Sequence, residues 1–255
     1  MAILKQDRGT IVKFLLKVIL IMALCSIAVI FVLSYISFEN AKRSSEGSVV
    51  MALEDATYTQ LDGPKDGQEI AIFKTSVGEF RVALYREFAP NTVEYFVSSA
   101  KEGKYDGVKI LLGNSGVYSV AGAEEYDGTA MEHEINENLW TFKGAVCAIT
   151  DDPTSTDVGS RLLFVDSYEF TDTELEQLGT LATNYGGEEI IRTYIDNGGV
   201  LNFAGQYTTF GQVYDGMEVY EKLSAIRFNA ENATAEEEIT IESVEISTYN
   251  LCPVY

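Results

Sequence analysis

His133 is the one histidine of this 255-residue chain, and it stands between Glu132 and Glu134. An imidazole there could relay a proton or ligate a metal. A zinc site needs further nitrogen or sulfur ligands, and none is spaced to join it, so an exposed polar segment is the expected reading. Asp151, Asp152 and Asp157 in DDPTSTD could offer oxygens to calcium. They lack the EF-hand spacing and its glycine, which leaves a solvated loop as the expectation. The three cysteines make no disulfide framework. Cys25 lies in a long apolar run, Cys147 in a short one that reads as a core strand, and Cys252 near the C-terminus; a Cys147–Cys252 bridge stays open as an alternative. No nucleophile elbow, phosphate loop or dinucleotide fingerprint is present. The expectation is a protein without metal or cofactor, whose chemistry, if any, rests on binding and electrostatics.

The elements that must position such chemistry begin with Phe14–Phe38, FLLKVILIMALCSIAVIFVLSYISF, in which Lys17 is the only charge. From Val18 the run holds about 20 apolar residues, enough to cross a ~30 Å hydrocarbon core as a helix. Lys5, Arg8, Lys13 and Lys17 precede it, which predicts a cytoplasmic N-terminus over residues 1–13 and a single-pass anchor in the cell membrane over 14–38. A cleaved signal peptide has a shorter apolar core and a small-residue cleavage site. A lipoprotein signal would use Cys25, but bulky Leu24 precedes it and the run continues beyond. Residues 1–38 carry +3, so the total of −21 leaves −24 on residues 39–255. That balance excludes nucleic acid as a partner and disfavours lying flat on anionic lipid. A soluble, self-repelling surface is the expected meaning, with attraction to basic client segments as the alternative.

Residues 39–68 mix Ser, Gly, Asp and Pro64 without periodicity and read as an extracytoplasmic stalk. EIAIFKT and EFRVALY alternate at period two around SVGE, a half-buried hairpin. Pro90 and Asn91 open a helix with Val93, Phe96, Val97 and Ala100 on one stripe and Gly103 as its stop. Short strands are expected at KILLG, VYSVAG, GAVCAIT, SRLLFVDS and TTFGQVYDG, helices at TDTELEQLGTLATNY, EEIIRTYIDNGG and GMEVYEKLSAI, and a closing strand at EITIESVEIS. Thr171 and Glu174 form a capping box. Asn232 begins an Asn-Ala-Thr sequon, and 250–255 read as a tail. A hairpin start with a returning last strand suggests a mainly β protein, a closed antiparallel barrel with helices at its ends.

The order of these motifs resembles the cyclophilin-type peptidyl-prolyl isomerases. TSVGEFRVALYREFAPNTVEYFVSSAKEGKYDGV, EINENLWTFKGAV, GSRLLFV, GQYTTFGQVYDGMEVYEKLSAI and ITIESVEI carry the likeness, from about Glu69 to Ile246 within a domain of residues 69–249. Residues 168–199 resemble a helical insertion found in some bacterial members. The resemblance implies binding of Xaa-Pro segments of polypeptides, or of a partner protein, in a groove that needs neither metal nor cofactor. Rotation about X–Pro is slow because the amide C–N bond is partly double. The family's arginine stabilises the prolyl nitrogen as that resonance is lost. Leu112 stands at the position matching that arginine, and a leucine donates no hydrogen bond. The other groove positions implied are Val117, Tyr118, Val120, Ile149, Thr150, Arg161, Leu163, Phe203 and Tyr207, with Asn202 or Leu201 at the family's tryptophan. Arg161 is the one basic residue among them; it could substitute for the missing arginine or pair with Asp151 or Asp152. A foldase with a weakened site and an inactive peptide-binding module both fit.

Overall fold

The computed structural model describes residues 58–122, 131–149, 157–176, 188–229 and 235–251. The apolar run 14–38, Cys25, Thr150, Asp151, Asp152, Asn232 and Cys252 lie outside them. Among the described residues no helix is long and apolar enough to cross a membrane.

Eight strands close into an antiparallel barrel. In chain order they are β1 (Glu69–Thr75), β2 (Gly78–Leu84), β3 (Val108–Asn114), β4 (Tyr118–Ala121), β6 (Ala145–Ile149), β8 (Arg161–Val165), β9 (Thr208–Asp215) and β10 (Thr240–Thr248). Around the barrel they run β1-β10-β3-β4-β8-β6-β9-β2. β5 (Met131–Glu132) and β7 (Asp157–Val158) pair only with each other, too short for any periodicity to announce them. The expected hairpin forms with Phe73 opposite Phe80. Their rings stack at 4.7 Å inside the barrel, and Phe164 lies edge-on to both. Alternation sorts the remaining residues: Val82, Ala121, Val146, Ala148, Leu162, Phe164 and Phe210 point inward into one core, as the period-two side-chain geometry of strands requires.

Helix α1 (Pro90–Lys101) buries Val93, Phe96, Val97 and Ala100 on this core, the stripe its sequence predicts. Its N-cap residue, Ala89, offers no side-chain oxygen. Glu134 supplies one from a distant loop: its carboxylate accepts from the backbone N–H of Asn91 at 3.1 Å and of Thr92 at 2.8 Å, and from the Thr92 hydroxyl at 2.7 Å. A carboxylate here satisfies orphan donors and complements the helix dipole. Glu134→Ala is expected to cost about 0.5–2 kcal/mol, the usual worth of a helix cap. Thermal unfolding of the variant, against Glu132→Ala as an exposed neighbour, measures it.

Helix α4 (Met217–Ser224) follows Gly216, which holds a left-handed φ of 76°. A Cβ there would lie 2.5 Å from the Glu79 carbonyl oxygen, so only glycine lets the helix start against β2. Tyr220 of α4 places its hydroxyl between β6 and β8, 3.0 Å from the Ala145 carbonyl and 2.9 Å from that of Val165. Helix α2 (Asp172–Glu176) starts on the predicted capping box, with Thr171 N–H donating to Glu174 at 2.7 Å and Glu174 N–H to Thr171 Oγ1 at 3.3 Å. The rest of the predicted TDTELEQLGTLATNY helix lies outside the described residues. Helix α3 (Glu188–Asn197) buries Ile190, Ile191 and Tyr194 in a separate cluster with Trp140, Phe142 and Leu201.

Part of the span read as stalk packs on the barrel. A turn of 3-10 helix at Thr59–Asp62 buries Gln60, whose amide donates to the Trp140 carbonyl at 2.8 Å and to Gln212 at 3.0 Å and accepts from Trp140 N–H. Tyr58 sets its ring edge-on to Trp140 and Phe142. A polar side chain can be buried in this way because main-chain groups satisfy it.

Candidate functional site

An apolar cluster lies on the outer face of β4, β8 and β6, the opposite face of each strand from the core, where the family resemblance implies the groove. Tyr118 and Val120 from β4, Leu163 and Val165 from β8, and Ala145, Cys147 and Ile149 from β6 form one apolar floor. The ladders put them side by side: Val120 opposes Leu163, Tyr118 opposes Val165, and Cys147 opposes Leu163 from the other edge. One wall is the segment that follows the insertion. Val200, Phe203 and Tyr207 pack on the floor together with Val117. Phe203 meets Tyr118 at 5.4 Å and Tyr207 at 5.1 Å, both edge-on, an arrangement aromatic rings prefer.

Leu112 joins this face through a β-bulge. Ile110 of β3 opposes Ala121, an inward position, and Leu112 opposes Val120, an outward one. Two residues on β3 therefore span one step on β4, and the extra residue turns Leu112 outward, which is what bulges do beside binding sites. Leu112 is 42% exposed, a large apolar side chain offered to solvent at the groove's edge.

Arg161 stands opposite Ile149 at the far end of β8 from Val165. Its aliphatic stem lies across Gly122, where an added Cβ would come within 2.4 Å of Arg161 Cγ. The glycine is therefore needed for the arginine to lie flat. Seven of the ten residues implied by resemblance (Val117, Tyr118, Val120, Ile149, Leu163, Phe203 and Tyr207) meet in one cluster. Leu112 and Arg161 border it, and Thr150 lies outside the described residues. Of the two candidates for the tryptophan position, Leu201 packs instead with Trp140 and Tyr194 and Asn202 is exposed. Phe203 supplies the wall. Val200, Ala145 and Val165 were not singled out in the sequence, and Cys147 was read there as a core-strand residue; the period-two pattern of GAVCAIT and SRLLFV, read for both faces, puts the three strand residues on this side.

Titration in the groove is governed by burial. Cys147 is buried, with Sγ 3.3 Å from Thr209 Oγ1, and burial pushes its thiol up to about 12. Desolvation also raises the Tyr207 phenol. The Cys147 thiol thus favours folding while protonated. This contribution is intact below its ordinary value of 9.0 and is lost as pH rises towards about 12. The expected result is that the peptide containing Cys147 stays unmodified by iodoacetamide at about pH 8 until urea unfolds the protein, because the reactive species is an accessible thiolate. Mass spectrometry of the digested protein reads this out.

His133 is half-buried, with Nδ1 3.2 Å from Thr208 Oγ1, rather than exposed. No group of three metal-ligating side chains occurs among the described residues. A cavity of about 390 Å³ opens elsewhere, between Thr59–Glu69 and Leu84–Glu87, and shares no residue with the groove.

The model of the cyclophilin type peptidyl-prolyl cis-trans isomerase family matches residues 70–246. This chain belongs to that family. A Staphylococcus saprophyticus protein named as a peptidyl-prolyl cis-trans isomerase is 29% identical over 200 residues, covering 74% of this chain and 98% of the relative. A Staphylococcus aureus protein of the same description is 28% identical over 202 residues, covering 75% and 98%. Among solved structures, a Cryptosporidium parvum cyclophilin type isomerase, determined in the presence of the dipeptide Ala-Pro, superposes with a TM-score of 0.51 at 16% identity. That superposition covers 71% of this chain and 99% of the other. A second structure of the same parasite protein gives 0.52, over 72% and 99%. The likeness to both structures is one of fold: the cyclophilin barrel expected from the motif order is the barrel observed.

Proposed function

We propose that this cyclophilin is a membrane-anchored, extracytoplasmic protein that holds Xaa-Pro segments of polypeptides in the outer apolar groove and isomerises them only weakly. The observation that carries this reading is Leu112. It lies on the groove face opposite Val120, at the position that resemblance gives to the catalytic arginine, and it has no hydrogen to donate to a prolyl nitrogen. Loss of one well-aimed transition-state donor costs about 2.7–4 kcal/mol, or 10²–10³ in rate. The aromatic wall of Tyr118, Phe203 and Tyr207 still suits a pyrrolidine ring. The presence of Ala-Pro in the Cryptosporidium parvum structure supports a proline peptide as the ligand class. The run 14–38 and the lysines and arginine before it support the anchor and its N-in orientation.

The second reading, an inactive peptide- or protein-binding module, rests on the same leucine and is separated by rate alone. Full-length protein in non-ionic detergent, added to an Ala-Ala-Pro-Ala peptide, is expected to broaden and shift the peptide's NMR signals. Exchange cross-peaks between cis and trans forms should grow little. Robust exchange overturns the weakened-site reading, and its loss in Arg161→Ala would then identify the substitute. Resistance to carbonate extraction, with the domain cut by protease added outside intact cells, is the expected outcome for the anchor.

A further inference from the structure

The turn between β3 and β4 carries the chain from Leu112 to Val117 and Tyr118, and three consecutive residues of it are held by groups from elsewhere in the fold. Ser115 Oγ donates to the Ala225 carbonyl at 3.0 Å. Gly116 N–H donates to the Ser224 carbonyl at 2.8 Å, and the Val117 carbonyl accepts from Asp166 N–H at 2.8 Å. Ser224 ends helix α4, where carbonyls have no partner within the helix, so the turn caps the helix while the helix holds the turn. Asp166 follows Val165, the last residue of β8 and part of the floor. The Ser224 hydroxyl donates to the Asp166 carboxylate, which closes a ring of hydrogen bonds through Gly116, Val117, Asp166 and Ser224. Asp166 is buried. Lys143 Nζ balances its charge from 3.3 Å and is shared with Glu221 at 2.6 Å. The Tyr220 hydroxyl, one helical turn before Ser224, lies against the Ala145 and Val165 carbonyls. Apolar burial is non-directional, whereas hydrogen bonds fix direction. A buried ion pair is weak evidence of stability, since apolar side chains of similar volume often serve as well; what Asp166 adds is direction. Neither Asp166 nor Ser224 belongs to the apolar cluster, and the ring meets that cluster through main-chain groups.

We propose that Asp166 and Ser224 are positioning residues for the groove: they set the β3–β4 turn, and with it the line on which Val117 and Tyr118 meet the floor. The inference rests on the groove reading above and adds what holds that site in shape. Neither side chain touches the peptide. Their removal loosens the fit of a proline segment while the barrel stays folded.

Full-length protein in non-ionic detergent, titrated into a labelled Ala-Ala-Pro-Ala peptide and followed by fluorescence anisotropy, reads this out beside Tm. Ser224→Ala is expected to weaken binding at least about threefold, within the net worth of one hydrogen bond. Asp166→Ala should weaken it further, because it also removes the charge that Lys143 balances. Asp166→Asn should stay within about twofold of the parent, since its amide oxygen still accepts from Ser224. Val219→Ala deletes a buried side chain of the same helix on the core side; it should lower Tm and keep the affinity within about twofold. In valine-methyl NMR spectra without peptide, Ser224→Ala should shift the Val117 signals and leave those of Val82 on β2 in place. Where Asp166→Ala fails to fold, Ser224→Ala decides alone. Unchanged affinity in Ser224→Ala, or an unmoved Val117 signal, overturns the inference and leaves the groove reading standing. So does a loss in Val219→Ala as large as in Ser224→Ala, since affinity would then follow stability, or an equal loss in Asp166→Asn and Asp166→Ala. If the parent protein binds no peptide, the groove reading falls and this inference with it.

Discussion

Leu112→Arg is expected to raise cis–trans exchange of an Ala-Pro peptide by at least about tenfold, towards a ceiling of 10²–10³ set by one restored transition-state donor. The expectation rests on direction as much as on residue type. The bulge between Ile110 and Leu112 turns position 112 to the side of Val120, so a guanidinium there would enter the groove rather than the barrel. Arginine suits the task because it is always charged and presents a rigid fork of donors, and lysine lacks the fork. Leu112→Lys should therefore gain clearly less. The gain should stop short of the ceiling because Val117 and Val120 add no polar side-chain contact to hold the peptide carbonyl. NMR exchange rates at matched peptide saturation measure the effect. An unchanged rate with retained binding would mean that position 112 does not aim at the prolyl nitrogen, and would overturn Leu112 as the basis of the proposed weak isomerisation.

That reasoning also shows how far the sequence could be read. The barrel was legible because its strands follow one rule: Phe73, Phe80 and Phe164 recur at alternate positions of short runs, and alternation has one physical cause. The groove positions came from the family resemblance alone, although alternation read for both faces separates Leu163 from Leu162 on one strand. Ile110, Leu111 and Leu112 were not legible, because three consecutive apolar residues give no phase. The pairing with β4 decides which one faces out. Glu134 escaped because a carboxylate capping a helix 42 residues away in sequence leaves no local signature, and Ala89 gives no hint of the need. Gln60 escaped because its burial depends on the Trp140 main chain, which no side-chain pattern records. The short β5–β7 pair, with Glu132 opposite Asp157, is a tertiary product, since two residues carry no period.

Phe164→Ala is expected to be among the most destabilising single changes in the described domain, at about 3–5 kcal/mol for deleting a fully buried aromatic side chain. Phe164 is wholly buried and lies edge-on to three rings, Phe73 at 5.9 Å, Phe80 at 6.0 Å and Tyr220 at 5.8 Å. No single neighbour can relax into the space without abandoning another contact. For a domain of this size the cost corresponds to a fall in Tm of roughly 6–20 °C. The groove should respond differently. Leu163 and Val165 flank Phe164 but point to the other face of β8, where the wall residues hold them. Well below its Tm the variant should therefore bind a proline peptide within about twofold of the parent, with Tyr220, which hydrogen-bonds the Ala145 and Val165 carbonyls, as the one shared contact between core and floor. Phe203→Ala should do the reverse, sparing most of the stability because Phe203 is only half-buried and removing the ring that joins Tyr118 to Tyr207. Calorimetry paired with peptide titration tests both variants. If folded Phe164→Ala lost peptide binding outright, the floor would depend on core packing through the sheet, and the groove could not be treated as a surface laid on an independent barrel.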